Sequence, residues 1–247
     1  MAKPFTSIYR ERLSACDSVA RTSLQGSPVA MKVFIIGIAG RIGSRLGSIL
    51  KVRHDDVGGL YRRPEQAVRL RKLGLTGTLG DLVDVSEKAL AAAMHGSDGV
   101  VFSAGAGDGN SDARTDAIDR YGVAKASAAA RLVGIERFIL VSVFPEEWRE
   151  RRMPRCFEYY MRAKKHADVA LVGTDLNWVI VRPSALTNNP GVGRVGLGLA
   201  KIHTEVRRDD VAATLAELLH TPAVRRKILE LTEGPTPIAE AVARFVR

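Results

Sequence analysis

The sequence predicts an α/β protein in which one doubly wound parallel sheet carries helices on both faces, in a single domain. Three observations lead there. Lys32 to Ile36 is a short apolar run rich in β-branched residues, followed by a glycine turn and then by apolar residues at helical spacing. Strand-like and helix-like stretches then alternate to the end of the chain, the pattern that right-handed crossovers build into a parallel sheet. Apolar residues make up 46% of the 247 residues, and no run approaches the ~18 apolar residues of a membrane span.

In order, the first helix carries Ile42, Leu46, Ile49 and Leu50 on one face. Val57 to Tyr61 reads as the second strand, and Arg62-Arg63-Pro64 starts a helix running to Leu73. Leu75 to Leu79 is a third strand, followed by Gly80-Asp81-Leu82 and a helix over Val85 to Met94. Asp98 to Ala104 is the fourth strand, ending in Gly105-Ala106-Gly107. A polar loop, Asp108 to Asp112, leads into a long helix to Val133. Glu136 to Val143 is the fifth strand; a basic loop, Glu146 to Arg155, precedes a helix from Phe157 to Val172. Leu176 to Val181 is the sixth strand, closed by Arg182-Pro183. The glycine-rich segment from Asn188 to Gly198 reads as a mobile loop. A helix after Arg208-Asp209-Asp210, a strand near Ile228 to Leu231 and a helix from Ile238 complete the domain.

Residues 1 to 30 do not share this pattern. They are polar, lack the apolar core of a secretory signal and show no apolar periodicity. They read as a flexible extension, either transit-like or upstream of a true start at Met31, with the domain spanning 31 to 247. The net charge of +10 comes from scattered basic residues without a nucleic-acid motif, which argues against a nucleic-acid partner and suits an anionic small ligand or plain solubility. Cys16 and Cys156 form no metal or redox spacing, so a reducing cytoplasm is the expected setting, with no membrane association.

The glycines Gly37, Gly40 and Gly43 stand between a strand and a helix, the context in which such a trio binds a pyrophosphate. The first allows the turn, the second lets the backbone approach the anion, and the third lets helix and strand pack closely. An NAD-binding version of such a unit carries an acidic residue near the end of its second strand, where this chain has Arg62 and Arg63. Two guanidinium forks suit a 2′-phosphate, with Arg41 able to join them, so NADP(H) is the expected cofactor ahead of NAD(H). The alternative is two solvated arginines at a helix start. Asp81 can accept from an adenine amino group or cap the following helix. Ala104 and Gly105 are small enough to let a cofactor lie against the backbone.

Two Tyr-x-x-x-Lys pairs are candidates for acid/base chemistry, Tyr121 with Lys125 and Tyr160 with Lys164. Four-residue spacing puts both side chains on one helix face, and an ammonium beside a phenol favours the phenolate. The second pair follows the fifth strand and the hydroxyl of Ser142, which could polarise a carbonyl that Tyr160 protonates. That makes Ser142, Tyr160 and Lys164 the candidate catalytic residues and leaves Tyr159 to packing.

From Met31 to about residue 245 the chain resembles the atypical short-chain dehydrogenase/reductases, single-domain Rossmann-fold NAD(P)-binding proteins related to sugar-nucleotide epimerases and NmrA-like regulators. The resemblance is carried by Gly37-Ile38-Ala39-Gly40-Arg41-Ile42-Gly43, Gly80-Asp81-Leu82, Arg137 to Ser142, Tyr160 to Lys164, Val181-Arg182-Pro183 and Arg208 to Ala212. It implies that the first motif, Ala39 and Ile42 included, holds the dinucleotide, with Leu82 beside Asp81 at the adenine. It also implies hydride chemistry near Ser142, Tyr160 and Lys164. Many members close the fifth strand with two serines, and here the second is Val143. The expected function is an NADP(H)-dependent oxidoreductase acting on a small carbonyl, quinone or flavin-like substrate, as a monomer or homodimer. The alternative is a non-catalytic NAD(P)-binding regulator or redox sensor. An epimerase is the weakest reading, because little chain follows Pro183 to build a substrate domain.

Overall fold

A computed structural model describes residues 30–107, 111–145 and 151–246. The extension expected over residues 1 to 30 lies, but for Ala30, outside the described residues, as do parts of the polar loop (108–110) and of the basic loop (146–150).

The sheet is built from β1 (Lys32–Ile36), β2 (Asp56–Tyr61), β3 (Thr78–Leu79), β4 (Gly99–Phe102), β5 (Arg137–Val141), β6 (Asn177–Pro183), β8 (Arg194–Gly198) and β10 (Lys227–Pro237), in the order β3-β2-β1-β4-β5-β6-β10-β8. All neighbours pair in parallel except β10 and β8, which are antiparallel. The strand order reverses between β1 and β4, and at such a switch point the loops part to leave a crevice at the strands' carboxyl ends. Two short strands, β7 (Ala185–Thr187) and β9 (Glu205–Arg207), pair in parallel as a separate ribbon.

The parallel strands are buried on both faces, and their side chains alternate between two cores. Val33, Ile35, Val101, Ile139, Val141, Val179 and Val181 face one core. There they meet α1 (Gly43–Val52), α7 (Arg208–Leu219) and α8 (Ile238–Ala243). Phe34, Ile36, Val100, Phe102, Phe138, Leu140, Trp178 and Ile180 face the other. That core is covered by α3 (Glu87–Met94), α5 (Tyr121–Leu132) and α6 (Arg155–Val172). Ser86 caps α3 by accepting from the Ala89 amide at 3.2 Å. The long helix expected before β5 is not one α-helix: α4 (Asp112–Thr115) passes through a π-helical turn, Asp116–Arg120, into α5.

Four expectations are corrected. The third strand shrinks from Leu75–Leu79 to Thr78–Leu79, because Leu75 turns into the core beneath Gly47 and leaves the sheet edge. The second helix begins at Gln66 rather than at Arg62. The strand near Ile228 extends to Pro237. The glycine-rich segment is not a loose loop. Its first half is fastened by carboxylates: Asp209 accepts from Gly191 at 3.0 Å, and Asp210 accepts from Val192 at 3.0 Å and Gly193 at 2.8 Å. Its second half is β8, paired with β10. Burial pushes the Asp210 carboxyl above its ordinary range against the pull of those amides.

Arg137 shows how a buried cation is tolerated at the opposite end of the sheet. Its guanidinium donates to the carbonyls of Val224 at 2.7 Å and Leu218 at 2.5 Å, the latter in the last turn of α7. Burial lowers its pKa to about 10.

Candidate functional site

The turn after β1 has the local geometry its glycines imply. Gly37 adopts φ +89° and its N–H donates to the Leu60 carbonyl at 3.1 Å, tying β1 to β2. A Cβ there would stand 2.9 Å from the backbone of Ala104, so the turn and the β4 loop touch through bare backbone. A Cβ on Gly43 would overlap the Gly37 carbonyl, so only glycine lets α1 start this close to the strand.

A cleft opens at the switch point. Its walls are Gly37, Ala39 and Gly40 of the turn; Tyr61, Arg62 and Gln66 after β2; Gly80, Asp81 and Leu82; and Ser103, Ala104 and Gly105 after β4, with Ile36, Leu60 and Ile118 beneath. Eight of the twelve residues expected at the cofactor therefore line one cleft: Gly37, Ala39, Gly40, Arg62, Asp81, Leu82, Ala104 and Gly105. The other four do not. Ile42 is buried in the core and Gly43 opens α1, so both shape the turn from behind. Arg41 is exposed, its carbonyl accepting from Arg45. Arg63 turns to Glu65, 3.0 Å away, so the expected pair of forks reduces to Arg62 at the cleft.

Charged cleft residues are Arg62 and Asp81 alone among the described lining residues. Asp81 is not a helix cap, since Ser86 has that role. Its Oδ1 accepts from the Val83 amide at 3.0 Å and its Oδ2 from Arg114 of α4 at 2.7 Å. Burial works to raise its carboxyl, but the Arg114 and Val83 hydrogen bonds and the charge of Arg62 hold it below the ordinary carboxylate range.

Beyond the cleft, at the end of β5, stand the candidate catalytic residues. Ser142 is buried; its N–H donates to the Val181 carbonyl at 2.8 Å, and its Oγ has no hydrogen-bond partner among the described residues. Lys164 is only 2% exposed and its Nζ donates to the Val141 carbonyl at 2.9 Å, one residue before Ser142. Tyr160, half-buried, lies one helical turn earlier on α6, its ring 6.5 Å from that of Phe157. The ammonium that was expected to face the phenol is thus anchored on the end of β5.

The other pair separates. Tyr121 is exposed against Arg120, while Lys125 donates to the carbonyls of Leu82, Val83 and Val85 at 2.9, 3.2 and 3.0 Å, closing the loop under the cleft. Tyr159 is not simply packing: its hydroxyl donates to Asp116 Oδ2 at 2.7 Å, and that bond, ahead of burial and the Asp116 charge, raises its pKa.

The sequence reading missed Gln66, Arg114 and Asp119. Gln66 Oε1 accepts from the amides of Arg62 and Arg63 at 3.1 and 2.9 Å and fixes that turn. Arg114 offered no local signal. Asp119 is fully buried and accepts from the Ala106 amide at 2.9 Å. An aspartate inside an otherwise apolar helix face was the available clue.

A switch-point cleft with a glycine turn, on this strand order, defines a Rossmann-fold nucleotide-binding protein. The comparisons with known proteins agree: the family described as NAD(P)H-binding matches residues 37–222, and the chain belongs to it. It is similar to the uncharacterized sugar epimerase YhfK of Bacillus subtilis, with 38% identity over 220 residues, covering 87% of this chain and all of that one. A solved Bacillus halodurans structure, provisionally assigned as an NAD-dependent epimerase/dehydratase, superposes with a TM-score of 0.79 at 31% identity, covering 87% of this chain and 100% of that one. The oxidoreductase ylbE of Lactococcus lactis superposes with a TM-score of 0.75 at 29% identity, covering 87% and 97%. Among the described residues no helix is long and apolar enough to cross a membrane, and no cluster of three or more His, Cys, Asp or Glu side chains could hold a metal ion.

Proposed function

We propose that the protein is an NADP(H)-dependent oxidoreductase acting on a small carbonyl, quinone or flavin-like substrate. The observation that supports this reading best is the charge of the cleft: Arg62 stands where a ribose-binding carboxylate belongs, and the one carboxylate in the wall, Asp81, is held by Arg114. Arg62 offers a 2′-phosphate a charge-assisted fork, and the N-terminal end of α1 offers the pyrophosphate backbone amides. The cleft wall fits such a group because Ala39, Gly40, Ala104 and Gly105, which line it, carry little or no side chain to fill it. Bound there, the dinucleotide supplies or accepts a hydride.

This chain's part is then to hold the substrate oxygen and move one proton. The buried, unpartnered Oγ of Ser142 is available to a carbonyl oxygen at the end of β5. Tyr160, a turn nearer the open end of α6, is the proton donor and acceptor, and Lys164 fixes the strand end on which Ser142 sits. The setting proposed with it is a reducing cytoplasm, read from two cysteines without metal or redox spacing.

The regulator reading has two observations of its own: Lys164 is bound to the Val141 carbonyl, and Val143 stands where a second serine would add a hydroxyl. Oxidation of NADPH over a carbonyl, quinone and flavin panel decides. Turnover that Tyr160→Phe lowers by about 10²- to 10⁴-fold with NADPH affinity kept supports the oxidoreductase. Tight NADPH binding with no turnover on any of them supports the regulator.

A further inference from the structure

The mechanism above uses Lys164 and leaves its buried carboxylate neighbour, Asp119, without a role. Lys164 Nζ, besides its bond to the Val141 carbonyl, lies 3.9 Å from Asp119 Oδ1. Both side chains are essentially shut off from solvent. The other oxygen of Asp119 accepts from the Ala106 amide, directly after Ala104 and Gly105 of the cleft wall. A Cβ on Gly105 would stand 3.4 Å from Asp119 Oδ1, so the carboxylate lies immediately behind the wall. The π-helical turn places it there, between Ile118 beneath the cleft and α5.

We propose that Asp119 is a positioning residue that ties the backbone of the β4 loop to the ammonium of Lys164, so that nucleotide binding in the cleft and charge on Lys164 depend on each other. This rests on reading the cleft as the dinucleotide site. A buried ammonium with one carbonyl ligand needs a countercharge, and Asp119 is the carboxylate beside it. The other charged groups nearby are committed elsewhere. Asp168, a turn further along α6, takes both the Nε and an Nη of Arg182 of β6, at 3.0 and 2.9 Å, and Asp116 takes the Tyr159 hydroxyl. Burial raises the Asp119 carboxyl, and the Lys164 charge and Ala106 amide work against that rise. Each buried charge is thus compensated by the other across 3.9 Å.

Two substitutions separate the halves of the role. Asp119→Asn keeps an oxygen for the Ala106 amide and removes the charge; Asp119→Leu removes both. The full chain is titrated with NADPH by nicotinamide fluorescence between about pH 6 and about pH 10. The Asn variant is expected to bind like the native protein at the acid end. It then loses about tenfold or more in affinity toward the alkaline end, where its buried lysine lacks the countercharge with which the native protein holds its affinity. The Leu variant binds about tenfold more weakly throughout. Thermal melts of Asp119→Asn, Lys164→Met and the double variant give a second reading: the double variant should melt above either single one. An Asn variant that tracks the native protein at every pH, or single effects that simply add in the double variant, would overturn the proposal. If the native protein binds no NADPH, the cleft reading falls, and the melts still decide whether the two residues act as a unit.

Discussion

Arg114 reaches from the start of α4 to within 2.7 Å of the Asp81 carboxylate, so two segments far apart in sequence meet over one side of the cleft. The Arg62 charge also acts on Asp81, so a single carboxylate stands between two guanidinium groups. Because its folded pKa is depressed below 3.8, the stabilisation it contributes is present above that value and lost only as pH falls through the folded value. The contribution of Asp81 to the cleft should therefore be constant around neutral pH and be lost only in the acid range below 3.8. Arg114→Gln should weaken NADPH and NADH to the same extent, by isothermal titration, since neither cofactor differs at the adenine. Unequal losses would place Arg114 at the phosphate instead.

The choice between NADPH and NADH should rest on Arg62. A charge-assisted contact to phosphate is worth about 1.5–3 kcal/mol, or roughly ten- to hundredfold in affinity. Arg62→Ala should remove most of the preference. Arg63→Ala should remove little, because that guanidinium faces Glu65. Equal affinities of the native protein for the two cofactors would reject the assignment.

Lys125 and Tyr121 should part company under substitution. Three carbonyls lose their donor in Lys125→Ala, a cost of about 1–3 kcal/mol in urea unfolding. Tyr121→Phe, at an exposed ring, should leave both stability and nucleotide affinity unchanged. A silent Lys125→Ala would mean that the loop from Leu82 to Val85 holds its shape without the ammonium.

A chain that begins at Met31 should fold as well as the full one. The Met31 amide donates to Asp55 at 2.9 Å, and Asp55 also meets His220 Nε2 at 2.9 Å. Starting at Met31 turns that amide into an ammonium facing the same carboxylate, which keeps the bond and adds charge to it. A melting temperature lower by many degrees would show that residues 1 to 30 pack on the domain.

The parallel strands could be read from sequence because burial on both faces makes each a continuous apolar run, as in Val33 to Ile36 and Phe138 to Val141. The glycine turn was readable because its three positions answer to three separate steric demands. Other features arise only from partners far along the chain. Arg194 to Gly198 has too many glycines to look like a strand, and becomes one through pairing with β10 and the grip of Asp209 and Asp210 on the residues before it. Arg62 and Arg63 are told apart by a near neighbour, Glu65, which captures only Arg63 once the turn is formed. The Tyr160 and Lys164 spacing was visible, but not that the lysine is bound to the strand end, because the Val141 carbonyl belongs to another element.

The π-helical turn at Asp116–Arg120 makes the length of its segment matter as much as its composition. A wider turn takes up one residue more than an α-helical one, and each residue of an α-helix turns the chain by about 100°. Removing a single residue there would let the helix run through unbroken and swing everything on one side by about a quarter turn relative to the other. Either Val123, Ala126 and Ala130 would keep their seats against the sheet, or Asp119 and Asp116 would keep theirs against α6, but not both. A one-residue deletion would thus undo what most point changes on that helix leave intact, and relatives that share every side chain but lack the extra residue would not share the geometry.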